Sequence, residues 1–441
     1  MARLAAEIDK LFAQWDRKDS PGASVAVVHK GKPIVRRGYG MASLEHGVPL
    51  SPESVIRIGS QTKQFTTFLA WSLIKEGRLG LDDDIRKYHP ELPDYERTVR
   101  VRHIMHNISG LREFLDLISL SGADARSPIP APEVSRIMRG QKTVNFAPGD
   151  QLMYCNTGFR LLAEIVEKIH GEDMREIMKK RIFEPLGMES TRLMPHDEEV
   201  VPRLASQHLA QPDGGWTRGR WGLPIGGEGG AVSTVDDMLV WSGQLVADKP
   251  RLGSREIFKA MAEPGTYNNG RRGIYASGLG VMPYRGTAAI GHGGGVAGGR
   301  STTYRYPEHD LAVCILGNLD AINPFTLSRK VADIVVDGAL APLQAQPGEA
   351  ELKPLGGLYM EAETGDLTDF GVENGVLSAK LGHKTPHWQL APGVLVPMSG
   401  VHDHELRFAK DGNSVELTNS GMKRRYTRLQ AFKSEIGRAH V

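Results

Sequence analysis

Ser60 and Lys63 stand three residues apart at the head of an apolar run formed by Phe65, Phe68, Leu69, Leu73 and Ile74. Side chains at that spacing share one helix face, so a lysine amine placed there reaches the serine hydroxyl. A hydroxyl is inert at neutral pH until a base takes its proton, and a helix N-terminus adds positive potential where an alkoxide or oxyanion would form. Gly59 lets the backbone enter that helix tightly and lets a substrate come close. Two other short segments carry groups suited to the same chemistry. Tyr154-Cys155-Asn156 follows the turn Phe146-Ala147-Pro148-Gly149-Asp150 and, read as extended, puts a phenol and an amide on one side. Gly291-His292-Gly293-Gly294-Gly295 surrounds one imidazole with glycines, which on an edge strand lets a substrate backbone lie against the sheet. No metal partner stands at ligand spacing from His292. Each segment taken singly has a blander reading: a solvated helix face, a tyrosine packed at a helix entrance, a satisfied histidine.

The elements that must position these residues are legible in outline. Leu4, Ile8, Leu11 and Phe12 form one stripe of an N-terminal amphipathic helix. Ser24–His29 and Pro33–Gly38 flank Lys30-Gly31-Lys32 as a hairpin. Residues 80–190 read as helical, with Gly158–Gly171 the clearest segment, and 210–235 reads as loop before a helix over Val235–Val246. Strand-like runs return at Gly278–Met282, Ala288–Gly291, Ser301–Tyr306 and Leu311–Leu316, and Phe325–Leu340 closes with a helix. The expected fold class is α/β (α+β): one antiparallel sheet joining the early hairpin to the late strands, covered by helices, with a mostly helical insert. After a linker around Pro347-Gly348, short β runs at Gly357–Glu361, Leu377–Leu381, Val394–Met398, Glu405–Phe408 and Val415–Asn419 predict a small lipocalin-like antiparallel β-barrel. The expected domains are 1–343 and 350–432, and Ile436–Val441 reads as a structureless tail.

In this order, Ser60-x-x-Lys63, Tyr154-x-Asn156 and His292-x-Gly294 resemble the three motifs of the penicillin-recognising serine hydrolases, the class C β-lactamase-like family. The D-stereospecific aminopeptidase branch is the nearest form. Arg57-Ile58-Gly59-Ser60, His106-Asn107-Ile108-Ser109-Gly110-Leu111, Phe183–Met188 and Gly229–Thr234 resemble further landmarks of the group, and the likeness extends to Leu340. The resemblance implies a cofactor-free hydrolase without a metal, in which Ser60 attacks a carbonyl and forms an acyl-enzyme. Lys63 and Tyr154 would share the base role, coupled so that neither titrates alone. Asn156 would orient the substrate amide and hold Lys63, while N–H groups of Ser60 and of the strand after His292 would hold the oxyanion. By this resemblance Ser60, Lys63, Tyr154, Asn156 and His292 are the expected catalytic residues, and Gly293 and Gly294 would line the substrate.

Most members of the group carry lysine at position 292, where histidine is largely neutral at pH 7. Losing one charge-assisted bond, roughly 1.5–3 kcal/mol, would cost a carboxylate-bearing substrate about one to two orders of magnitude. An amide or ester without that carboxylate loses little. The expectation is therefore an aminopeptidase or amidase releasing N-terminal, D-configured residues. The alternatives are a carboxylesterase with the same nucleophile and a catalytically idle penicillin-binding-type protein. Glu228, among Gly226, Gly227, Gly229 and Gly230, is the acid expected to receive a substrate amine, unshielded beside the sheet edge.

Bulk properties agree. The 441 residues exceed one ordinary core. Lys+Arg 54 against Asp+Glu 52 leaves a net charge of +2, without the basic stripe of a nucleic-acid binder. No apolar run is long enough for a membrane span and no signal-peptide pattern opens the chain, although a leader already removed would leave no trace. Cys155 and Cys314 are too few for a disulfide framework and fit a reducing, cytoplasmic place. The expected partner is a small peptide, amide or ester substrate, with no nucleic acid and no membrane, and a homo-oligomer stays open.

Overall fold

Lys30 and Gly31, with φ of 50° and 70°, close the tight turn between β1 (Ala23–His29) and β2 (Lys32–Tyr39). A turn with two positive φ angles matches the twist of the strands it joins. The late strands β3 (Gly280–Tyr284), β4 (Thr287–Val296), β5 (Gly299–Tyr306) and β6 (Leu311–Gly317) complete an antiparallel sheet in the order β3-β4-β5-β6-β1-β2. The two ends of this region meet at the β1–β6 pair, where Ala26 lies opposite Cys314. In the computed structural model the chain divides into two compact units, Met1–Ala341 and Pro342–Val441. The structure describes residues 1–124, 126–373, 375–380, 387–391, 394–398 and 402–429.

The helices that matter to the site are α1 (Ala2–Phe12), α2 (Lys63–Lys75), α3 (Asn156–His170), α4 (Val235–Gln244), α5 (Arg255–Met261) and α6 (Pro324–Val336). One sheet face presents Val25, Val27, Val313 and Ile315 to Ile8 and Phe12 of α1 and to Leu327, Val331 and Ala332 of α6. The alternate residues of β1 and β6 face the other side, against which α4 packs. Burial on both faces explains why β6 is apolar throughout instead of alternating. Beneath the serine segment, the Phe65 ring meets Phe183 and Trp241 edge-on, and Phe68 meets Trp241 and Phe258. Burying each such ring is worth roughly 1.5–3 kcal/mol, which fixes α2 in the interior.

Two segments differ from expectation. The 210–235 stretch is not all loop. His208–Ala210 pairs with Trp216–Arg218, and Ala231–Ser233 pairs with Ile56–Arg57. Its tryptophan and β-branched residues find cross-strand partners that glycine content conceals. The glycines after Gly291 also stay in strand: β4 runs on to Val296, in register with β5 from Ile290↔Arg305 to Val296↔Gly299. A Cβ on Gly294 would fall 1.8 Å from the Ile58 carbonyl oxygen, so the missing side chain lets the strand lie directly on the segment leading into Ser60.

The second unit is a closed antiparallel barrel of eight described strands, Gly357–Glu361 through Met422–Arg428. Pairing of Tyr359 with Arg428 closes it. Tyr359, Phe370, Leu377, Trp388, Leu406 and Tyr426 fill its interior. Leu367–Glu373, His387–Ala391 and Met422–Arg428 are strands without a sequence expectation. Leu381 and the Ile436–Val441 tail lie outside the described residues. Among the described residues no helix is long and apolar enough to cross a membrane.

The two glycines after His292 should answer mutation differently. Gly294→Ala places its methyl on Ile58 and 2.5 Å from Ser301 Oγ, and overpacking of this kind costs about 1–3 kcal/mol. A Cβ on Gly293 meets nothing nearer than the Ser301 carbonyl at 3.5 Å. Thermal melts should show a clear drop in Tm for Gly294→Ala and almost none for Gly293→Ala; equal drops would contradict this packing.

Candidate active site

Ser60 sits in a 3-10 turn, Gly59–Thr62, that continues directly into α2 at Lys63. Gly59 has φ +55°, and a Cβ there would lie 2.9 Å from the Gly295 nitrogen, so both conformation and space require glycine. The turn is tied on three sides. Ser301 Oγ donates to the Ile58 carbonyl at 2.8 Å, Gln61 Nε2 donates to Ser301 Oγ at 2.7 Å, and the Ala231 N–H donates to Thr62 Oγ1 at 3.0 Å. Ser60 is left half-buried while its neighbours on the turn are enclosed.

Lys63 is fully buried. Its Nζ lies 3.0 Å from Ser60 Oγ and donates to Asn156 Oδ1 at 2.7 Å and to the backbone carbonyl of Glu228. Removal from water lowers its pKa from 10.5 to about 7, against the opposing pull of the Glu228 and Glu113 charges. The amine also rests 4.9 Å from the Tyr154 ring centroid and 5.3 Å from that of Phe159. A lysine held at this pKa is a base at neutral pH, in hydrogen-bond contact with a hydroxyl.

Tyr154 and Asn156 are brought to Lys63 together, with Cys155 between them extended at φ −144° and ψ 110° as expected, and a helix starting at Asn156. Asn156 is the first residue of α3, and Cys155 is the cap before it. The preceding segment is fastened by Asn107, whose backbone carbonyl accepts from the Met153 N–H at 2.9 Å and whose side-chain oxygen accepts from the Cys155 N–H at 3.0 Å. The Tyr154 hydroxyl is buried without a well-formed hydrogen bond. Burial raises its pKa well above the phenolic range, while neighbouring Ser60 pulls the other way. The phenol therefore keeps its proton at neutral pH, beside an amine whose pKa is about 7.

One face of α3 serves Lys63 three times. Asn156 binds the amine, Phe159 covers it, and Arg160 donates to Glu228 Oε1 at 3.1 Å and to the Pro224 carbonyl at 2.9 Å. The glycine-rich loop bearing Glu228 is pressed onto the helices, where Thr66 Oγ1 donates to the Gly227 carbonyl at 2.6 Å. Glu228 is accordingly not the unshielded acid of the sequence reading. It is 2% exposed and ion-paired with Arg160, and its backbone carbonyl is what touches Lys63.

Glu113 escaped the sequence reading. It is buried, accepts from both the Asn156 N–H and, at 3.1 Å, Asn156 Nδ2, and caps the helix that follows it by accepting from the Leu115 N–H. These bonds fix the Asn156 amide with its oxygen toward Lys63. Burial raises the Glu113 pKa. Its only sequence signal is its place two residues after the Ser109-Gly110-Leu111 landmark, and no spacing rule marks it.

His292, expected among the catalytic residues, lies beside Tyr154 with its ring nitrogens turned to other groups than Ser60. Its ring centroid is 6.0 Å from that of Tyr154. Its Nε2 meets the Tyr275 hydroxyl at 3.1 Å and its Nδ1 meets the Gly293 carbonyl, so neither nitrogen is left for Ser60. Burial, then the Lys63 charge, lowers its pKa to about 3. Gly294 is likewise a spacer against Ile58, whereas Gly293 leaves room beside the strand. From His292 to Val296, β4 is paired with β5 alone, because β3 pairs only as far as Gly291, leaving one strand edge open next to Ser60.

This fold and this constellation are those of a serine hydrolase of the Ser-x-x-Lys type. The family model described as Beta-lactamase matches residues 8–336, and the chain belongs to the beta-lactamase family. It is similar to the D-aminopeptidase of Gluconobacter oxydans (strain 621H), 28% identical over 366 residues, covering 82% of this chain and 67% of that protein. It is also similar to the D-aminopeptidase of Brucella anthropi, 30% identical over 306 residues, covering 68% of this chain and 56% of that protein. The chain thus spans little more than half the length of the second relative. Among solved structures, an octameric penicillin-binding protein homologue from Pyrococcus abyssi aligns with a TM-score of 0.69 at 23% identity, covering 96% of this chain and 99% of that one. A D-amino acid amidase from Ochrobactrum anthropi SV3 aligns at 0.63 and 23% identity, covering 76% and 99%. At such identities the structures speak for the fold.

The pH profile follows from Lys63. If its neutral form accepts the serine proton, kcat/KM falls about tenfold per pH unit below a pKa of about 7. His292, at about 3, adds no step near neutrality. The Glu113 charge raises the Lys63 pKa, so Glu113→Gln should move this acid limb to lower pH. A limb that stays in place or moves up would contradict the coupling.

Proposed function

We propose that this protein hydrolyses amide or peptide bonds through an acyl-enzyme on Ser60, acting as an aminopeptidase that releases N-terminal D-amino acids. The observation that carries the chemistry is the buried Lys63 amine, 3.0 Å from Ser60 Oγ with a pKa of about 7. In this reading Lys63 takes the hydroxyl proton as Ser60 attacks the carbonyl. The developing oxyanion is held by the Ser60 N–H and an N–H on the open edge of β4. Tyr154 delivers a proton to the leaving amine, which departs with the C–N bond electrons. Lys63 passes the serine proton on to Tyr154; water then attacks the acyl carbonyl and gives a proton to the neutral Lys63, and Ser60 Oγ leaves with the C–O bond electrons and takes that proton back. Asn156 holds Lys63 throughout, and Glu228, its carboxylate already met by Arg160, contributes through its backbone carbonyl.

The substrate half rests on two supports. Sequences similar over most of this chain are D-aminopeptidases, and a similar fold is a D-amino acid amidase. Position 292 also offers no permanent cation for a substrate carboxylate. The carboxylesterase reading uses the same nucleophile and differs only in the acyl donor. Self-association belongs to the proposal too, since the Pyrococcus abyssi protein is octameric. So does a cytoplasmic place, with which the buried free cysteines Cys155 and Cys314 agree.

D-alanine p-nitroanilide should be turned over faster than its L isomer by about tenfold or more, within the range that pocket contacts provide. Ser60→Ala should abolish both that turnover and labelling by a fluorophosphonate. Equal rates on the isomers would remove the stereochemical claim, and activity confined to esters would favour the carboxylesterase. Labelling that survives Ser60→Ala would overturn the nucleophile.

A further inference from the structure

The imidazole of His292 is engaged on both sides. Nδ1 lies against the Gly293 carbonyl, and Nε2 lies 3.1 Å from the Tyr275 hydroxyl. A carbonyl oxygen can only accept, so Nδ1 carries the ring proton; Nε2 is then a lone pair, and the Tyr275 O–H is the donor. The Asn107 side chain also reaches the Tyr275 hydroxyl and, its oxygen already accepting from the Cys155 N–H, faces it as a donor, which leaves the phenolic proton for Nε2. Tyr275 is 1% exposed, and its ring packs edge-on against His292 at 5.7 Å, Tyr154 at 6.2 Å and Phe159 at 6.4 Å between centroids. A ring pinned among three others holds its hydroxyl at one point, and that point is the imidazole nitrogen.

We propose that Tyr275 is a specificity-determining positioning residue: by donating to His292 Nε2 it locks a neutral imidazole that has no N–H left to offer an anionic substrate group. A cation or a free N–H at this place on the strand edge would attract a carboxylate. An imidazole whose proton is spent on its own backbone, and whose lone pair is spent on Tyr275, does not. The groups facing the ring agree. Lys63 repels a second positive charge, and the phenols Tyr154 and Tyr275 stay protonated. Selection against substrates with a carboxylate near the scissile bond would then be built in by a residue that touches no substrate. The substrate half of this inference rests on the amide-hydrolase reading; the tautomer half does not.

Histidine-labelled enzyme examined by long-range 1H–15N NMR at neutral pH tests it, with His292→Gln assigning the signal. The wild type should show a single Nδ1–H tautomer for His292, opposite to the form free imidazole side chains favour. Tyr275→Phe keeps the packed ring and removes only the donor; it should give a tautomer mixture or an Nε2–H form. It should also shift the kcat/KM ratio about tenfold toward a substrate with a free terminal carboxylate relative to its carboxamide, as one gained charge-assisted hydrogen bond would. An Nε2–H or cationic His292 in the wild type overturns the lock, with no variant needed. A Tyr275→Phe enzyme with an unchanged tautomer overturns it as well. A changed tautomer with an unchanged substrate ratio overturns the specificity role alone. Failure of the amide-hydrolase reading would show instead as a wild type that turns over esters but no carboxamide, and leaves the NMR result standing.

Discussion

Taking one lysine amine out of water is the constraint on which the rest of this site depends. An ammonium buried without compensation costs several kcal/mol, and a protein meets that cost with acceptors or by letting the group lose its proton. Here both happen. Ser60 Oγ, Asn156 Oδ1 and the Glu228 carbonyl surround Lys63 Nζ, and desolvation still brings its pKa to about 7. Each acceptor comes from a different part of the chain, so the tertiary fold exists at this point to deliver them. The turn before α2 supplies the hydroxyl, the start of α3 the amide, and the glycine-rich loop before Ala231–Ser233 the carbonyl.

The glycines are the other half of that delivery. Gly59 and Gly294 bring the serine turn and β4 to a separation that no side chain would allow. The open edge of β4 beyond Gly291 then lies beside Ser60. Charge around the amine is arranged with similar economy. Glu113 and Glu228 both raise the Lys63 pKa, opposing desolvation, yet Glu228 is matched by Arg160 and Glu113 is spent on Asn156. The balance leaves the lysine near the midpoint of its titration in neutral water, where a general base is most useful.

Much of this was legible in the chain. The three-residue spacing of Ser60 and Lys63 survives as a helix entrance, and the early hairpin and late strands join as an antiparallel sheet, because those readings rest on local periodicity. What was not legible depends on distant partners. Glu228 sits among glycines, which suggested exposure; the glycines instead let its loop press onto α2 and α3, where Arg160 waits. Glu113 and Tyr275 carry no spacing signal, since their targets lie 43 and 17 residues away. His292 lies on β4 beyond the expected strand end at Gly291, and no pattern in sequence records which way its ring is turned.

The central claim is that burial alone makes Lys63 a base at neutral pH. Labelling lysine side chains with 13C at Cε and following the Lys63 resonance against pH in the free enzyme, assigned with Lys63→Arg, measures this without reference to any substrate. A midpoint near the value of about 7 given by the structure is the predicted result. A midpoint near the ordinary 10.5 of a solvated lysine would contradict the account.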